Sequence, residues 1–320
     1  MPETTPSPSE PDAARPDPRP TRRAGDGWVE CRCGQRHWGR LGAAGLLLWR
    51  PSRPTAQRGA ADPGTYDLVL QHRALWSHHG GTWGLPGGAI DPDETPVVGA
   101  LREAEEEAAT PPSALAVRAS YRLSHPDWSY TTVVAEALEP VEPRVSDPES
   151  LHVAWVSGAE LRERELLPAF ADALPELRAL VGRRLVLVVD GANTMGSRPD
   201  GWWRDRRGAT ETLRDELAEL AVAGLPAQEV GLPGHAWFPR VVLVAEGQAR
   251  GVASVPAQDG VGGVEVVDAP GSGDEEIVAQ AGRAVQAGAD VVVVTADREL
   301  RRRVTAAGAG TAGPSLVLSR

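Results

Sequence analysis

The most restrictive feature of this chain is a glycine-rich turn that runs directly into a helix loaded with carboxylates. Leu85-Pro-Gly-Gly-Ala-Ile-Asp-Pro-Asp-Glu94 leads into Arg102-Glu-Ala-Glu-Glu-Glu-Ala-Ala109, and Pro111-Pro112 follows. Residues 95–109 have a helical pattern that the two prolines stop. On a helix, Glu103, Glu106 and Glu107 stand at i, i+3 and i+4, so three carboxylates share one face at about 5–6 Å spacing. Unpaired, they repel one another. A hard divalent cation, Mg²⁺ or Mn²⁺, relieves that repulsion and keeps positions open for water and phosphate oxygens. A bare glutamate run is more often a solvated helix face, and Glu105 fits that description. The turn in front of the run sets it apart.

The rest of the chain frames this segment. At 320 residues it is long enough for roughly two domains. Residues 1–27 are a Pro-rich tail without apolar periodicity, expected to be disordered. Strands are expected at 42–49, 66–72, 121–123, 130–138 and 153–156, with helices beginning at 158 and 168. The pattern changes near 181–184. From Arg183 onward, apolar strands (185–190, 240–245, 263–267, 290–295 and 315–318) are interspersed with helices (207–223, 273–287 and 298–306). Uninterrupted apolar strands interspersed with helices imply a mostly parallel sheet covered on both faces. The expected division is a first unit at 28–182 and a second at 183–320.

Composition excludes some classes. There are 33 basic and 44 acidic residues, a net charge of −11, which argues against a non-specific nucleic-acid coat. All 33 basic residues are Arg, with no Lys, a bias typical of GC-rich coding. Cys31 and Cys33 are too few for a disulfide framework. No secretory h-region is visible at the N-terminus, and no apolar run approaches a membrane span. A cytoplasmic protein without membrane contact is the expectation.

Gly88, five residues, Glu94, seven residues and then Arg102-Glu103-Ala104-Glu105-Glu106-Glu107 resemble the Nudix box, and Trp83-Gly-Leu-Pro-Gly-Gly88 resembles its approach. The resemblance spans about residues 38–181 and implies the Nudix α/β/α sandwich. It implies that Glu103, Glu106 and Glu107 bind the metal, and that Glu94 and Arg102 brace the loop holding Gly88 against the helix. The implied reaction is hydrolysis of the pyrophosphate bond in a nucleoside diphosphate linked to another moiety, with Mg²⁺ or Mn²⁺. A glutamate is the implied general base, and Glu149 resembles a late acidic position used by some members. The family has Gly where Ala109 stands. Gly would suit a left-handed helix end, and Ala there would cost about 1 kcal/mol. Alternatively, Pro111-Pro112 terminates the helix another way.

Three further groups are open to two readings. Trp76, His78, His79, Trp83, Trp128 and Tyr130 are either a nucleotide-stacking wall or an aromatic core. Cys31-Arg-Cys33-Gly-Gln-Arg-His37 supplies three of the four ligands that a structural zinc needs, or else two free thiols. In the second unit, Val186-Leu-Val-Val-Asp190-Gly-Ala-Asn193 is a buried strand ending in an acid, and 290–297 repeats that pattern with Asp297. Asp274 and Glu275 open a helix between them. Ligands of open α/β sheets bind beyond the carboxyl ends of the strands, where Asp190, Asp274 and Asp297 can converge on a metal. Asp274 and Asp297 equally suit helix caps. Asp190 ends an apolar strand, where a charge needs a partner.

Val-Val-Asp-Gly-Ala-Asn193 with Thr295-Ala-Asp-Arg-Glu-Leu300 resembles the NYN branch of the PIN-like nucleases, and the YacP-type subgroup most of all. Asn193, the chain's single Asn, occupies the motif position. The resemblance covers about 184–320 and implies a doubly wound, mostly parallel α/β domain. It implies a Mg²⁺-dependent ribonuclease site at Asp190, Asn193, Asp274 and Asp297, with Glu275 and Asp205 as weaker candidates. Arg198, Arg204, Arg206, Arg207, Arg298, Arg301, Arg302 and Arg303 flank these acids and would suit RNA phosphates, or are ordinary surface arginines. Trp202-Trp203 would stack on unpaired bases or bury against the first unit. The whole reads as a bifunctional metal-dependent hydrolase acting on a nucleotide and on RNA. The alternative is a first unit that senses a nucleotide without cleaving it and regulates the second. A third reading is a silent RNA-binding adaptor.

Overall fold

The computed structural model describes residues 23–52, 65–198 and 201–318, so most of the Pro-rich tail lies outside the described residues. The first strands, β1 (Trp28–Glu30) and β2 (Arg36–Trp38), form a separate antiparallel hairpin. Next come β3 (Ala43–Pro51), β4 (Tyr66–Arg73), β5 (Trp83–Gly84), β6 (Gly87–Ala89) and helix α1 (Pro96–Ala108). Then follow β7 (Leu115–Ser124), β8 (Ser129–Ala137), β9 (Ser150–Ser157) and α2 (Pro168–Arg178). β3 is buried along most of its length because it is central, parallel to β8 and antiparallel to β4 and β6. β9 pairs with β4 and β7 with β8.

Helix α1 starts where the sequence supplies a cap. Thr95 Oγ1 accepts from Val98 N–H at 3.3 Å, and Pro96 occupies the first helical position, where no N–H is needed. Ala100, Leu101, Ala104 and Ala108 form its buried stripe. They pack with Leu46, Leu48, Val133 and Val153 of the sheet. Glu107 lies on the same buried face. The helix ends at Ala109, which adopts the left-handed conformation (φ 53°, ψ 41°) despite its Cβ.

The second region begins with β10 (Leu185–Asp190), α3 (Gly191–Gly196) and α4 (Arg206–Ala223). Two two-residue strands, β11 (Leu225–Pro226) and β12 (Ala236–Trp237), flank α5 (Ala227–Val230). Then come β13 (Arg240–Ala245), β14 (Val264–Asp268), α6 (Gly273–Gln286), β15 (Asp290–Val294), α7 (Arg298–Ala306), β16 (Gly310–Ala312) and α8 (Ser315–Leu318). The sheet order is β14-β13-β10-β15-β16, and every pair is parallel. Residues 315–318 were expected as a strand, and this is corrected. The edge strand is β16, and 315–318 turn into a short helix after Pro314, with Val317 and Leu318 N–H donating to Pro314 O. A four-residue apolar run beside a proline carries no period that separates the two states.

The two sheets are not insulated from each other. β12 pairs antiparallel with β7 (Trp237↔Ala119), and β11 extends that edge through β12. Trp237 is wholly buried, and its Nε1–H donates to Pro233 O at 2.7 Å. One apolar cluster runs from Leu47, Leu70 and Leu177 to Leu187, Leu217 and Leu243. At the seam, Glu136 of β8 is buried and accepts from Arg118 Nη2 at 2.9 Å and from the Arg184 guanidinium. Burial alone would raise the Glu136 pKa, but the two arginines outweigh it and hold the carboxyl below its ordinary range.

Candidate functional site

The first site lies where β6 passes under the carboxylate face of α1. Gly88 is needed there, because a Cβ would sit 2.7 Å from the Glu103 carboxylate. Arg102 lies along the turn. Its Nε donates to Glu94 Oε1 at 2.7 Å, and its Nη2 donates to Glu94 Oε2 at 2.9 Å and to Ala89 O at 3.1 Å. Glu94 Oε2 also accepts from Asp91 N–H at 3.0 Å. The Arg102 hydrogen bond is the main reason that Glu94 titrates below its usual range. Arg102 also holds Glu103 through Nη1 at 2.7 Å.

The three helix carboxylates have different surroundings. Glu107 is buried and accepts from Gly87 N–H at 2.8 Å, with the Gln71 amide 3.1 Å away. Burial, then the charges of Glu103 and Asp147, push its pKa well above the usual carboxylate range. Glu103 is raised by burial in spite of Arg102. Glu106 is more exposed and meets the Arg23 guanidinium.

The tertiary fold adds carboxylates from the loop before β9. Arg144 N–H donates to Ala108 O and Ser146 N–H to Glu107 O, docking this loop on the end of α1. Glu107, Asp147 and Glu149 then bring one oxygen each within 4.8 Å of one another. Glu103 and Glu106 are not in that group. Burial raises the pKa of Asp147 and of Glu149, and Asp147 adds to the effect on Glu149. Asp147 Oδ1 is buried without a hydrogen-bond partner, a costly state that a cation would relieve. An all-oxygen donor set fits a hard divalent cation. Sequence reasoning missed Asp147. Its only local signal is its place two residues before Glu149.

The aromatic residues do not form one wall. Trp83 stacks on His72 (4.9 Å, 7°), with Arg164 4.6 Å above its ring. Trp128 stacks on His37 (4.4 Å, 9°). His78 lies against Trp28 and His79, Trp76 is exposed, and Tyr130 is half-buried.

The family model of the NUDIX domain matches residues 58–177. The "Putative 8-oxo-dGTP diphosphatase 3" of Mycobacterium tuberculosis (strain ATCC 25618 / H37Rv) is 47% identical over 163 residues, 49% of this chain and 70% of that protein. The chain belongs to the Nudix family. A "Nucleoside triphosphate pyrophosphatase/Nudix hydrolase fusion protein" of Bifidobacterium longum is 45% identical over 157 residues, 48% of this chain but 31% of that longer protein. The crystal structure of the M. smegmatis Nudix hydrolase RenU is 42% identical and covers 48% of this chain and 93% of its own, at a TM-score of 0.42. The Nudix match therefore accounts for the first half of the chain. Nudix hydrolases generally use divalent metals. No described helix is long and apolar enough to cross a membrane.

A second set of acids stands at the carboxyl ends of the parallel strands. The sheet order places the switch of winding direction between β10 and β15, where such folds bind ligands. Asp190, at the end of β10, accepts from Thr295 Oγ1 at 2.8 Å and from Asn193 N–H at 3.0 Å. Burial nevertheless raises its pKa, and the charges of Asp274 and Glu246 add to this. The Asn193 side chain bridges the same gap, with Oδ1 accepting from Ala296 N–H at 2.7 Å.

Asp297 caps α7, accepting from Leu300 N–H at 2.7 Å, so the cap reading holds for it. Asp274 is not a cap. It lies in the first turn of α6, 3.9 Å from Arg303 Nη1, and its pKa is raised by burial and then by Asp297. Glu275 is exposed, and Asp205 caps α4. These acids feel one another's charge but do not close to the 4.8 Å spacing of the first group. Glu246 was missed. It directly follows the apolar strand β13, the pattern that singled out Asp190, and it accepts from Gly273 N–H at 2.8 Å.

Several arginines are committed elsewhere. Arg198 pairs with Glu216, Arg207 with Glu211 and Arg302 with Glu299, and Arg301 Nε donates to Thr295 O at 2.9 Å. Arg206 lies 5.4 Å over Trp202, which packs against the shared core, while Trp203 is exposed.

Proposed function

We propose that this protein is a two-centre, metal-dependent hydrolase, with a Nudix unit over 28–182 and a NYN/PIN-like unit over 183–320. The first centre hydrolyses the pyrophosphate bond of a nucleoside diphosphate linked to another moiety. The observation that carries this reading is the group of buried Glu107 with half-buried Asp147 and Glu149, beside Glu103 and the turn braced by Glu94 and Arg102. Glu103, Glu106, Glu107, Asp147 and Glu149 are the residues that would hold Mg²⁺ or Mn²⁺. A bound cation there supplies polarisation of phosphate oxygens and a lower pKa for the attacking water. Arg102 keeps Glu103 oriented, and Gly87 N–H fixes one oxygen of Glu107. Water oxygen would bond to phosphorus, the bridging P–O bond would break with its electron pair staying on the oxygen of the departing phosphate, and the water proton would pass through a carboxylate to solvent.

A panel of nucleoside triphosphates, dinucleoside polyphosphates, nucleotide sugars and dinucleotide cofactors tests this, with Glu106→Gln as the control. An oxidised deoxyguanosine triphosphate belongs first, given the name of the mycobacterial relative. Cleavage that disappears in the control supports the reading. Cleavage unchanged in the control removes the site assignment. Tight nucleotide binding without product would favour the sensor alternative.

The second centre is proposed to cleave RNA phosphodiesters. The supporting observation is the convergence of Asp190, Glu246, Asp274 and Asp297, with Asn193, at the switch point of a wholly parallel sheet. The acids would take Mg²⁺, and Arg303 stands at their edge. Metal-dependent cleavage of single-stranded RNA that is lost in Asp190→Asn, with nucleotide hydrolysis intact, is the expected result.

A further inference from the structure

The β1–β2 hairpin contains a group of potential soft metal ligands that neither proposed hydrolytic centre uses. Cys31, Cys33 and His37 each offer a ligand atom within 4.8 Å of the other two, and Cys33 Sγ lies 3.2 Å from His37 Nε2. The backbone holds this shape. Cys31 N–H donates to Gln35 O at 3.0 Å, and Gly34 N–H donates to Cys31 O at 2.9 Å. Gly34 sits at φ 85°, a conformation natural to glycine. His37 is fixed in β2 by register with Val29 and by stacking on Trp128. In a tetrahedral zinc site, with Zn–S near ~2.3 Å and Zn–N near ~2.0 Å, ligand atoms stand roughly 3.5 Å apart. The three groups need only a small closure to reach that spacing.

The hairpin also lacks the usual means of holding itself together. Its two three-residue strands are a separate sheet whose residues are all at least partly exposed. Isolated two-stranded hairpins are marginal in water. Besides the Trp28 contact with His78, two of its ties are Arg32 on Asp127 (2.8 Å) and the Trp128 indole, whose Nε1–H donates to Trp38 O at 3.0 Å. These two lead to the turn before β8.

We propose that Cys31, Cys33 and His37 bind one zinc ion, with solvent at the fourth position, and that this ion cross-links the turn of the N-terminal hairpin to its second strand. Two thiolates and an imidazole select zinc over Mg²⁺ or Mn²⁺, so this centre is chemically separate from the carboxylate sites. Binding releases the two thiol protons to solvent and forms two Zn–S bonds and one Zn–N bond.

The test uses the full chain, purified from zinc-supplemented growth without chelator. Elemental analysis after gel filtration should find about one zinc per chain, falling to background in Cys33→Ser and in His37→Ala. Cobalt-reconstituted protein should show a sulfur-to-cobalt charge-transfer band that Cys33→Ser abolishes. Cys33 is exposed, so its replacement should leave the circular dichroism unchanged. On the unaltered chain, stoichiometric zinc should slow the reaction of the thiols with Ellman's reagent. Equal zinc content in Cys33→Ser and wild type would overturn the proposal. Metal-free protein whose thiols react at the same rate with and without zinc would also overturn it.

Discussion

Ala109→Gly should stabilise the protein. Ala109 ends α1 in the left-handed region at φ 53° and ψ 41°, with its N–H donating to Glu105 O at 3.1 Å. An L-residue with a Cβ pays about 1–2 kcal/mol for that conformation. Glycine escapes this cost but adds about 0.5–1 kcal/mol of backbone entropy to the unfolded chain. The difference leaves a net gain of roughly 0.5–1 kcal/mol, or a rise of about 1–4 °C in melting temperature for a chain of this size. Urea and thermal unfolding of the full chain, followed by circular dichroism, would measure it. Ala109→Val is the counter-test, because a branched side chain suits left-handed backbone less well and should destabilise. The helix end also carries the docked loop, through Arg144 N–H on Ala108 O and Ser146 N–H on Glu107 O. Glycine keeps the same backbone shape, so nucleotide turnover should be unchanged. A loss of stability in Ala109→Gly, or equal stability of the Gly and Val variants, would refute the reasoning.

Glu107→Gln should lower nucleotide turnover by about 10²-fold or more, since a metal-charge contribution of a few kcal/mol is lost. The same change should raise metal-free thermal stability, because it removes a buried charge repelled by Glu103 and Asp147; a drop in both would contradict this. The raised pKa values of Glu103, Glu107, Asp147 and Glu149 give a pH prediction. The native state binds protons more tightly than the unfolded chain here, so metal-free stability falls as pH rises from the ordinary carboxylate range through the raised values. A cation must displace those protons, so the Mg²⁺-induced gain in melting temperature should be larger at pH 8 than at pH 5, and an equal gain would argue against the ligand set. Glu136→Gln should cost about 3–5 kcal/mol in urea unfolding, because Arg118 and Arg184 keep their charge at a buried seam. The lowered Glu136 pKa means that its contribution is present above the unfolded carboxylate value and lost as pH falls through the folded one, so wild type and variant should converge in acid. Asp190→Asn should abolish RNA cleavage while leaving nucleotide hydrolysis intact; loss of both would mean that the two-site assignment is wrong or that the centres are coupled.

Local sequence determined the parts whose causes lie within a few residues. Thr95, Pro96 and the Pro111-Pro112 stop bracket α1, and the spacing of Glu103, Glu106 and Glu107 places their backbones on one side of it. The continuous apolar runs at 185–189 and 291–294 fixed a sheet covered on both faces, and Asp190 was visible because an acid closes such a run. A helical face specifies where Cβ atoms point, but not what crosses the chain to meet them. Only the tertiary fold brought Asp147 and Glu149 to Glu107, about forty residues away in the chain, while Arg102 held Glu103. It also put Glu246 beside Asp190 and Asp274, because strand order is a non-local property. The two-residue strands β11 and β12, which join the second region to the edge of the first sheet, have too few residues to show a period. The short run at 315–318 was ambiguous for the same reason, and the hydrogen bonds to Pro314 decided it as helix.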